Sequence, residues 1–176
     1  LKVASRDLTN LPLLEALAET KIPIIISTGM ADKSDLDNGL NVINKYHSNI
    51  TILHCLSQYP SDYKELNLNS ITYLKNNYPN YTIGYSDHSI GIVTPVAAVA
   101  MGAEVIEKHI TIDRNMKGTD QEGSLASDGI RRMLRDIRNL ELSFGEEGIF
   151  RSDAVVSAQT KLERSIATNK TLAKGH

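Results

Sequence analysis

Residues 81–113, YTIGYSDHSIGIVTPVAAVAMGAEVIEKHITID, decide the fold. Tyr81, Ile83 and Tyr85 alternate with smaller residues until Ser86, Asp87 and His88 break the apolar pattern. A second run, Glu104-Val105-Ile106, stops in the same way at Glu107-Lys108-His109. Between them, residues 93–101 are rich in Ala and Val with Pro95 near the start. That suits a packed helix whose proline lies in the first turn, where no intrahelical N–H is needed. The unit reads strand, helix, strand. Parallel strands joined by a helix carry their polar ends on one side of the sheet, where the βα loops gather, so His88 and His109 are expected to be neighbours. Alternation along each strand puts Ser86 on the side of His88 and Glu107 on the side of His109. Two neutral imidazoles at equivalent strand ends either share a divalent metal whose shell is completed by oxygens, or each caps its own strand through hydrogen bonds.

The same apolar-to-polar pattern recurs toward the N-terminus. Residues 22–26 form a β-branched run interrupted by Pro23 and end in Ser27-Thr28-Gly29-Met30. A continuous Ile run predicts a strand buried on both faces, as in a parallel sheet covered by helices. Residues 50–54 close with Cys55-Leu56-Ser57-Gln58-Tyr59-Pro60, and residues 1–4 are a short apolar start followed by turn chemistry at 5–10. Helices are expected between these strands. Pro12 opens one that runs through Ala18, and Asp32 or Ser34 caps a second, with Leu36, Leu40, Val42 and Ile43 as its stripe to about Tyr46. Leu68, Ile71, Thr72, Leu74 and Lys75 mark a third, which stops before Pro79. After the 81–113 unit, residues 114–123 are charged, contain Gly118 and Gly123, and have the length of an active-site loop. Ser127 or Asp128 caps a last helix lined on one side by Ile130, Met133, Leu134, Ile137, Leu140 and Leu142. Its residues Arg131, Arg132, Arg135 and Arg138 read as a solvated face.

Five strands each followed by a helix define an α/β protein with an all-parallel sheet. An open doubly wound sheet satisfies that count, and so do five units of a (β/α)8 TIM barrel. The chain begins at Leu1, without methionine, directly in an apolar stretch. On that ground residues 1–145 are expected to be the last five β/α units of a barrel, with three more before them. Residues 146–160 then read as a linker into a second domain that begins at 161–176.

The bulk properties favour a small-molecule partner. At 176 residues with 41% hydrophobic content the chain can bury a real core. A net charge of −2 and no dense Lys/Arg run argue against nucleic-acid and anionic-membrane partners. Cys55 is the single cysteine, so no internal disulfide is available, and no stretch of about 18 apolar residues occurs. A cytoplasmic location is the expectation. Cys55 itself reads as a buried small residue, because adjacent His54 is turned away by strand alternation and no other histidine is expected beside it.

Four motifs taken together resemble those of the sialic acid (N-acetylneuraminate) synthases and their legionaminic and pseudaminic acid relatives: Ser27-Thr28-Gly29-Met30, His54-Cys55-x-Ser57-x-Tyr59-Pro60, Gly84-Tyr85-Ser86-Asp87-His88 and Glu107-Lys108-His109-x-Thr111-x-Asp113. The resemblance covers about residues 1–145 as barrel, and Arg164-Ser165-Ile166 to Gly175 resembles the opening of the family's antifreeze-like (SAF) domain. It implies condensation of phosphoenolpyruvate with an N-acyl amino sugar such as N-acetylmannosamine, releasing phosphate by C–O cleavage and giving a nine-carbon 2-keto acid. It also implies a divalent ion, usually Mn2+ with Mg2+ or Co2+ as alternatives, held by His88 and His109. Glu107 and Asp7 are implied as catalytic groups, and Lys2, Ser5, Ser27 and Ser86 as phosphoenolpyruvate contacts. Ser57, Tyr59 and Asp120 fall at further substrate-binding positions. A domain-swapped homodimer is implied for the family's full-length members. The chain departs from the usual pattern in two places, with Arg6-Asp7 for Gly-Glu and Thr119-Asp120-Gln121 for Pro-Asp-His. An inactive barrel fragment that binds a sugar phosphate without turnover is the alternative from another class, and a Schiff-base aldolase is the rival enzyme. It needs a lysine facing the barrel interior, whereas Lys108, lying between Glu107 and His109, is turned away by alternation.

Overall fold

The computed structural model describes residues 1–175. Strands β1 (Lys2–Val3), β2 (Ile24–Ser27), β3 (Ile50–Cys55), β4 (Thr82–Asp87) and β5 (Val105–Lys108) form one parallel sheet in the order β1-β2-β3-β4-β5. Helices α1 (Leu11–Glu19), α2 (Lys33–Ile43), α3 (Asn69–Asn77) and α4 (Val93–Ala100) lie between successive strands, and α5 (Ser127–Ser143) follows β5. This is the expected α/β alternation, and it matches part of a TIM barrel.

The sheet is curled, and one contact shows how far. Lys2 and Glu107 stand on the two edge strands, which four spacings of about 4.8 Å would hold about 19 Å apart in a flat sheet. Yet Lys2 Nζ lies 3.7 Å from Glu107 Oε1. The concave face therefore gathers the inward side chains of all five strands.

The convex face is the core. Ile24, Ile26, Ile50, Ile52, Ile83 and Tyr85 are buried there against Leu14, Leu36, Leu40, Ile43, Ile71 and Leu74 of the helices. Each such side chain contributes about 1.5–3 kcal/mol by burial. On the concave face Gly84 has no room for a side chain: a Cβ there would stand 2.5 Å from Leu53 Cδ2 and 2.5 Å from the Val105 carbonyl oxygen.

Several local expectations need adjusting. For α2 the cap is Asp32 rather than Ser34: its carboxylate accepts from Asp35 N at 2.9 Å while Asp35 accepts from Asp32 N, a reciprocal capping box. The helix ends at Ile43 instead of near Tyr46, and Val42 is half-buried. On α5 the buried positions are Gly129, Met133 and Ile137, while Leu134 and Leu142 are exposed. A step of four residues nearly repeats a helical face, so 133 and 137 share one. Leu134 lies about 100° round from Met133.

The chain divides into two compact units at Ser143/Phe144. The second, taken by itself, carries a 3-10 turn at Asp153–Val155 and helix α6 (Val156–Leu162), which crosses the position where a linker was expected to end. Among the described residues no helix is long and apolar enough to cross a membrane.

Candidate active site

The polar groups at the strand ends fall into rows set by the ladder. Cys55 pairs with Ser86 and Ser86 with Glu107, so these three form one inward row across β3, β4 and β5. Ser86 Oγ donates to Glu107 Oε1 at 2.6 Å. Lys2 Nζ donates to Ser27 Oγ at 2.8 Å and faces the same Glu107 oxygen. Lys2, Ser27, Ser86 and Glu107 thus form a continuous chain of contacts on the concave face. Their charged members keep access to water, with side chains 34% exposed for Lys2 and 42% for Glu107.

The next row holds the histidines. The rings of His88 and His109 lie 5.2 Å apart, centre to centre, at 70° to each other. Tyr59 covers both, 4.1 Å from His88 and 5.6 Å from His109. Its phenol is pushed up from the usual tyrosine range, first by desolvation and then by the nearby Cys55, Asp120 and Glu107. His88 Nδ1 is 2.9 Å from the Leu56 carbonyl oxygen. That carbonyl can only accept, so Nδ1 is the donor, and in the neutral tautomer this leaves the lone pair on Nε2. His109 Nδ1 stands 3.9 Å from Asp120 Oδ2. Asp120 belongs to the 114–123 loop, which closes on itself through Arg114 Nε donating to the Glu122 carbonyl at 2.7 Å.

The ring pair passes a simple test for a shared cation. Two imidazole nitrogens at about 2.1 Å place a metal about 3.2 Å from each ring centre, so rings on one ion stand about 4.5–5.2 Å apart for angles from square to tetrahedral. The observed 5.2 Å lies within that span. Among the described residues no group of three or more His, Cys, Asp or Glu side chains is placed to hold a metal ion. The protein would supply two donors and leave the other positions to water or substrate.

A third cluster sits beside this one. Gly29 N donates to Ser5 Oγ at 3.0 Å, and Ser57 N donates to the Gly29 carbonyl at 3.2 Å. A Cβ on Gly29 would meet Ser57 Oγ at 2.5 Å, Cys55 Sγ at 2.7 Å and Ser5 Oγ at 2.9 Å. Only glycine lets these three converge. Asp7 is not drawn in; its carboxylate, half-buried after β1, lies 3.6 Å from Arg6 Nε.

One expectation is corrected here. A histidine does stand beside Cys55, since its Sγ is 3.7 Å from His88 Nδ1. Alternation governs neighbours within a strand and is silent about a ring one row up on the next strand. Lys2 faces the concave interior, as expected of a phosphoenolpyruvate contact. Lys108 faces the opposite way, with its Nζ 2.7 Å from Asp87 Oδ2.

The model of the NeuB family matches residues 1–148. An uncharacterized protein of Methanocaldococcus jannaschii is 42% identical over 99% of this chain and 52% of its own length. The N,N'-diacetyllegionaminic acid synthase of Campylobacter jejuni is 38% identical over 99% of this chain and 53% of its own. Among solved structures, the N-acetylneuraminic acid (sialic acid) synthetase of Leptospira borgpetersenii, in complex with citrate, superposes with a TM-score of 0.81 at 35% identity. That alignment covers 93% of this chain and 58% of the other. The chain spans about half the length of the curated relatives it matches.

Proposed function

Because the chain belongs to the NeuB family, we propose that its strand-end site serves the condensation of phosphoenolpyruvate with an N-acyl amino sugar to give a nine-carbon 2-keto acid and inorganic phosphate. The observation that carries this reading is the meeting of two chemistries on one concave face: a lysine among serine hydroxyls with Glu107, and, in the next row, a pair of imidazoles. The Lys2 ammonium, with Ser27 and Ser86, suits the dianionic phosphate, because charge-assisted bonds to an anion are the stronger kind. Ser5 and Ser57, gathered at Gly29, supply two more hydroxyls at its edge. Tyr59 and Asp120, beside the histidine rings, would contact the sugar. Glu107, bridging Lys2 and Ser86, holds sugar hydroxyls or moves a proton at the reacting centre, and Asp7 is assigned a supporting catalytic role from the opposite edge.

His88 and His109 would hold a divalent ion, with Mn2+ the first choice and Mg2+ or Co2+ alternatives. When bound, that ion supplies Lewis-acid polarisation of the sugar aldehyde. In the overall change the enol carbon of phosphoenolpyruvate forms a C–C bond to the aldehyde carbon, water adds at the enol-ether carbon, and the C–O bond to phosphate breaks. We also assign residues 161–176 to the opening of an antifreeze-like domain and the full-length protein to a domain-swapped homodimer.

The Campylobacter relative's name favours a second reading within the same reaction, in which a diacetamido-trideoxy sugar replaces N-acetylmannosamine. Phosphate release from phosphoenolpyruvate should be measured with each sugar, using bridging 18O to report the bond cleaved. Label recovered in phosphate with either sugar supports the reading and identifies the acceptor. No release with either one, together with borohydride trapping of pyruvate on Lys2, would replace it with the Schiff-base aldolase.

A further inference from the structure

On the convex side of β4 and β5, directly behind the two histidines, lies a network that the proposed reaction does not use. Asp87 and Lys108 are register partners at the last rung of the β4–β5 ladder, and each precedes one of the two histidines in the chain. Both side chains are out of water, 0% and 3% exposed. Asp87 is saturated. Its Oδ1 accepts from Tyr85 OH at 3.0 Å and from Ser89 N at 2.9 Å, while its Oδ2 accepts from Lys108 Nζ at 2.7 Å and Thr94 Oγ1 at 3.1 Å. Lys108 Nζ also donates to the Ser89 carbonyl, and Ser89 Oγ is bonded to Thr94 Oγ1 at 2.6 Å.

The two charges therefore grip both polar backbone groups of Ser89, the residue after His88, while Asp87 itself is the residue before it. His88 is bracketed on both sides from behind. We propose that the Asp87–Lys108 ion pair is a positioning device that sets His88 against His109, with Thr94 and Ser89 completing the clamp. The inference rests on the metal reading of those histidines for its functional meaning, and on the network alone for its geometry. The β4–β5 ladder stops at Asp87 and Lys108; beyond it the His88 carbonyl accepts from Ser61 N at 3.0 Å and the His109 carbonyl from Leu125 N at 2.9 Å, so each ring-bearing residue is tied to a different segment. The dry ion pair couples the two strand ends to each other immediately before the rings. Outer groups that fix a ligand's orientation typically contribute about 10- to 100-fold to metal affinity.

The experiment is a Mn2+ binding isotherm, read by the EPR signal of the free ion without substrates, on the wild type and on Asp87→Asn/Lys108→Met. The double variant removes both charges, leaves Asn to accept from Ser89 N, and avoids stranding one buried charge. Mn2+ affinity reduced about 10- to 100-fold in a folded double variant supports the clamp. Ile71→Val is the control, because it trims the core under α3 and should leave Mn2+ affinity unchanged however far it lowers the melting temperature. Wild-type affinity in the double variant overturns the proposal. If the double variant does not fold, Thr94→Val replaces it: a several-fold loss supports the clamp and no change overturns it. If the wild type itself binds no Mn2+, the metal reading fails and the clamp is judged on a crystal structure of the variant, where rings still 5.2 Å apart refute it and displaced rings support it.

Discussion

The two faces of β4 and β5 carry nearly the same chemical groups and use them in opposite ways. On the concave face Glu107 sits with Lys2 and Ser86, 42% and 34% exposed for the two charged side chains. On the convex face Asp87 sits with Lys108, Ser89 and Thr94, and both charges are dry. A carboxylate and an ammonium near water are held cheaply and remain free to meet a ligand. The same pair out of water is tolerable only because every oxygen of Asp87 finds donors, and it then acts as structure. One strand can therefore supply a reactive residue and the brace behind it in consecutive positions.

The largest effect should come from breaking the dry pair on one side only. Lys108→Met strands the buried Asp87 carboxylate and is expected to cost about 3–5 kcal/mol in urea unfolding. Glu107→Gln, on the wet face, should cost about 0–1 kcal/mol while abolishing phosphate release. If the two substitutions destabilise equally, the contrast between the faces is wrong.

A smaller effect is expected where the concave face is crowded rather than charged. Gly29→Ala forces a methyl into space held by Ser57 Oγ, Cys55 Sγ and Ser5 Oγ. Relief of that overlap should cost about 1–3 kcal/mol. The two serines would also move apart, and losing one bond to the phosphate should raise KM for phosphoenolpyruvate about tenfold. An unchanged KM in a folded Gly29→Ala variant would remove Ser5 and Ser57 from the phosphate site.

Strands, their order and the polar row at their ends were legible in the sequence, because β-branched runs that stop at Ser27, Cys55, Asp87 and Lys108 encode burial directly. Local alternation also placed Ser86 with His88 and turned Lys108 away. What stayed hidden depends on curvature. Lys2 and Glu107 lie on opposite edge strands, and no local pattern says that a sheet curls enough to join them. The neighbours Cys55 and His88 are set by register across strands, and the grip of Asp87 and Lys108 on Ser89 needs the turn after β4 as well. The helical stripe on α5 was overread for a simpler reason: Leu134 and Leu142 are apolar, but they lie off the face fixed by Met133 and Ile137.

The mildest test concerns the histidine of the convex face. His54, on the convex face of β3, is buried, stacks 5.8 Å from Tyr85 and faces the Leu66 carbonyl oxygen at 2.7 Å through Nε2. Burial holds its imidazole below the usual histidine range, and the Leu66 carbonyl opposes that only in part. The folded state then binds the His54 proton less readily than the unfolded state does, so the unfolded chain holds more protons as pH falls below about 6.5 and stability declines in that direction. The contribution is bounded by one proton, about 1.4 kcal/mol per pH unit. Urea unfolding of the wild type and His54→Phe between pH 7.5 and 5 should show a shallower decline in the variant, even though losing the bond to Leu66 lowers its overall stability. Parallel curves would mean that His54 titrates freely and that the convex face is wetter at this strand than at Asp87.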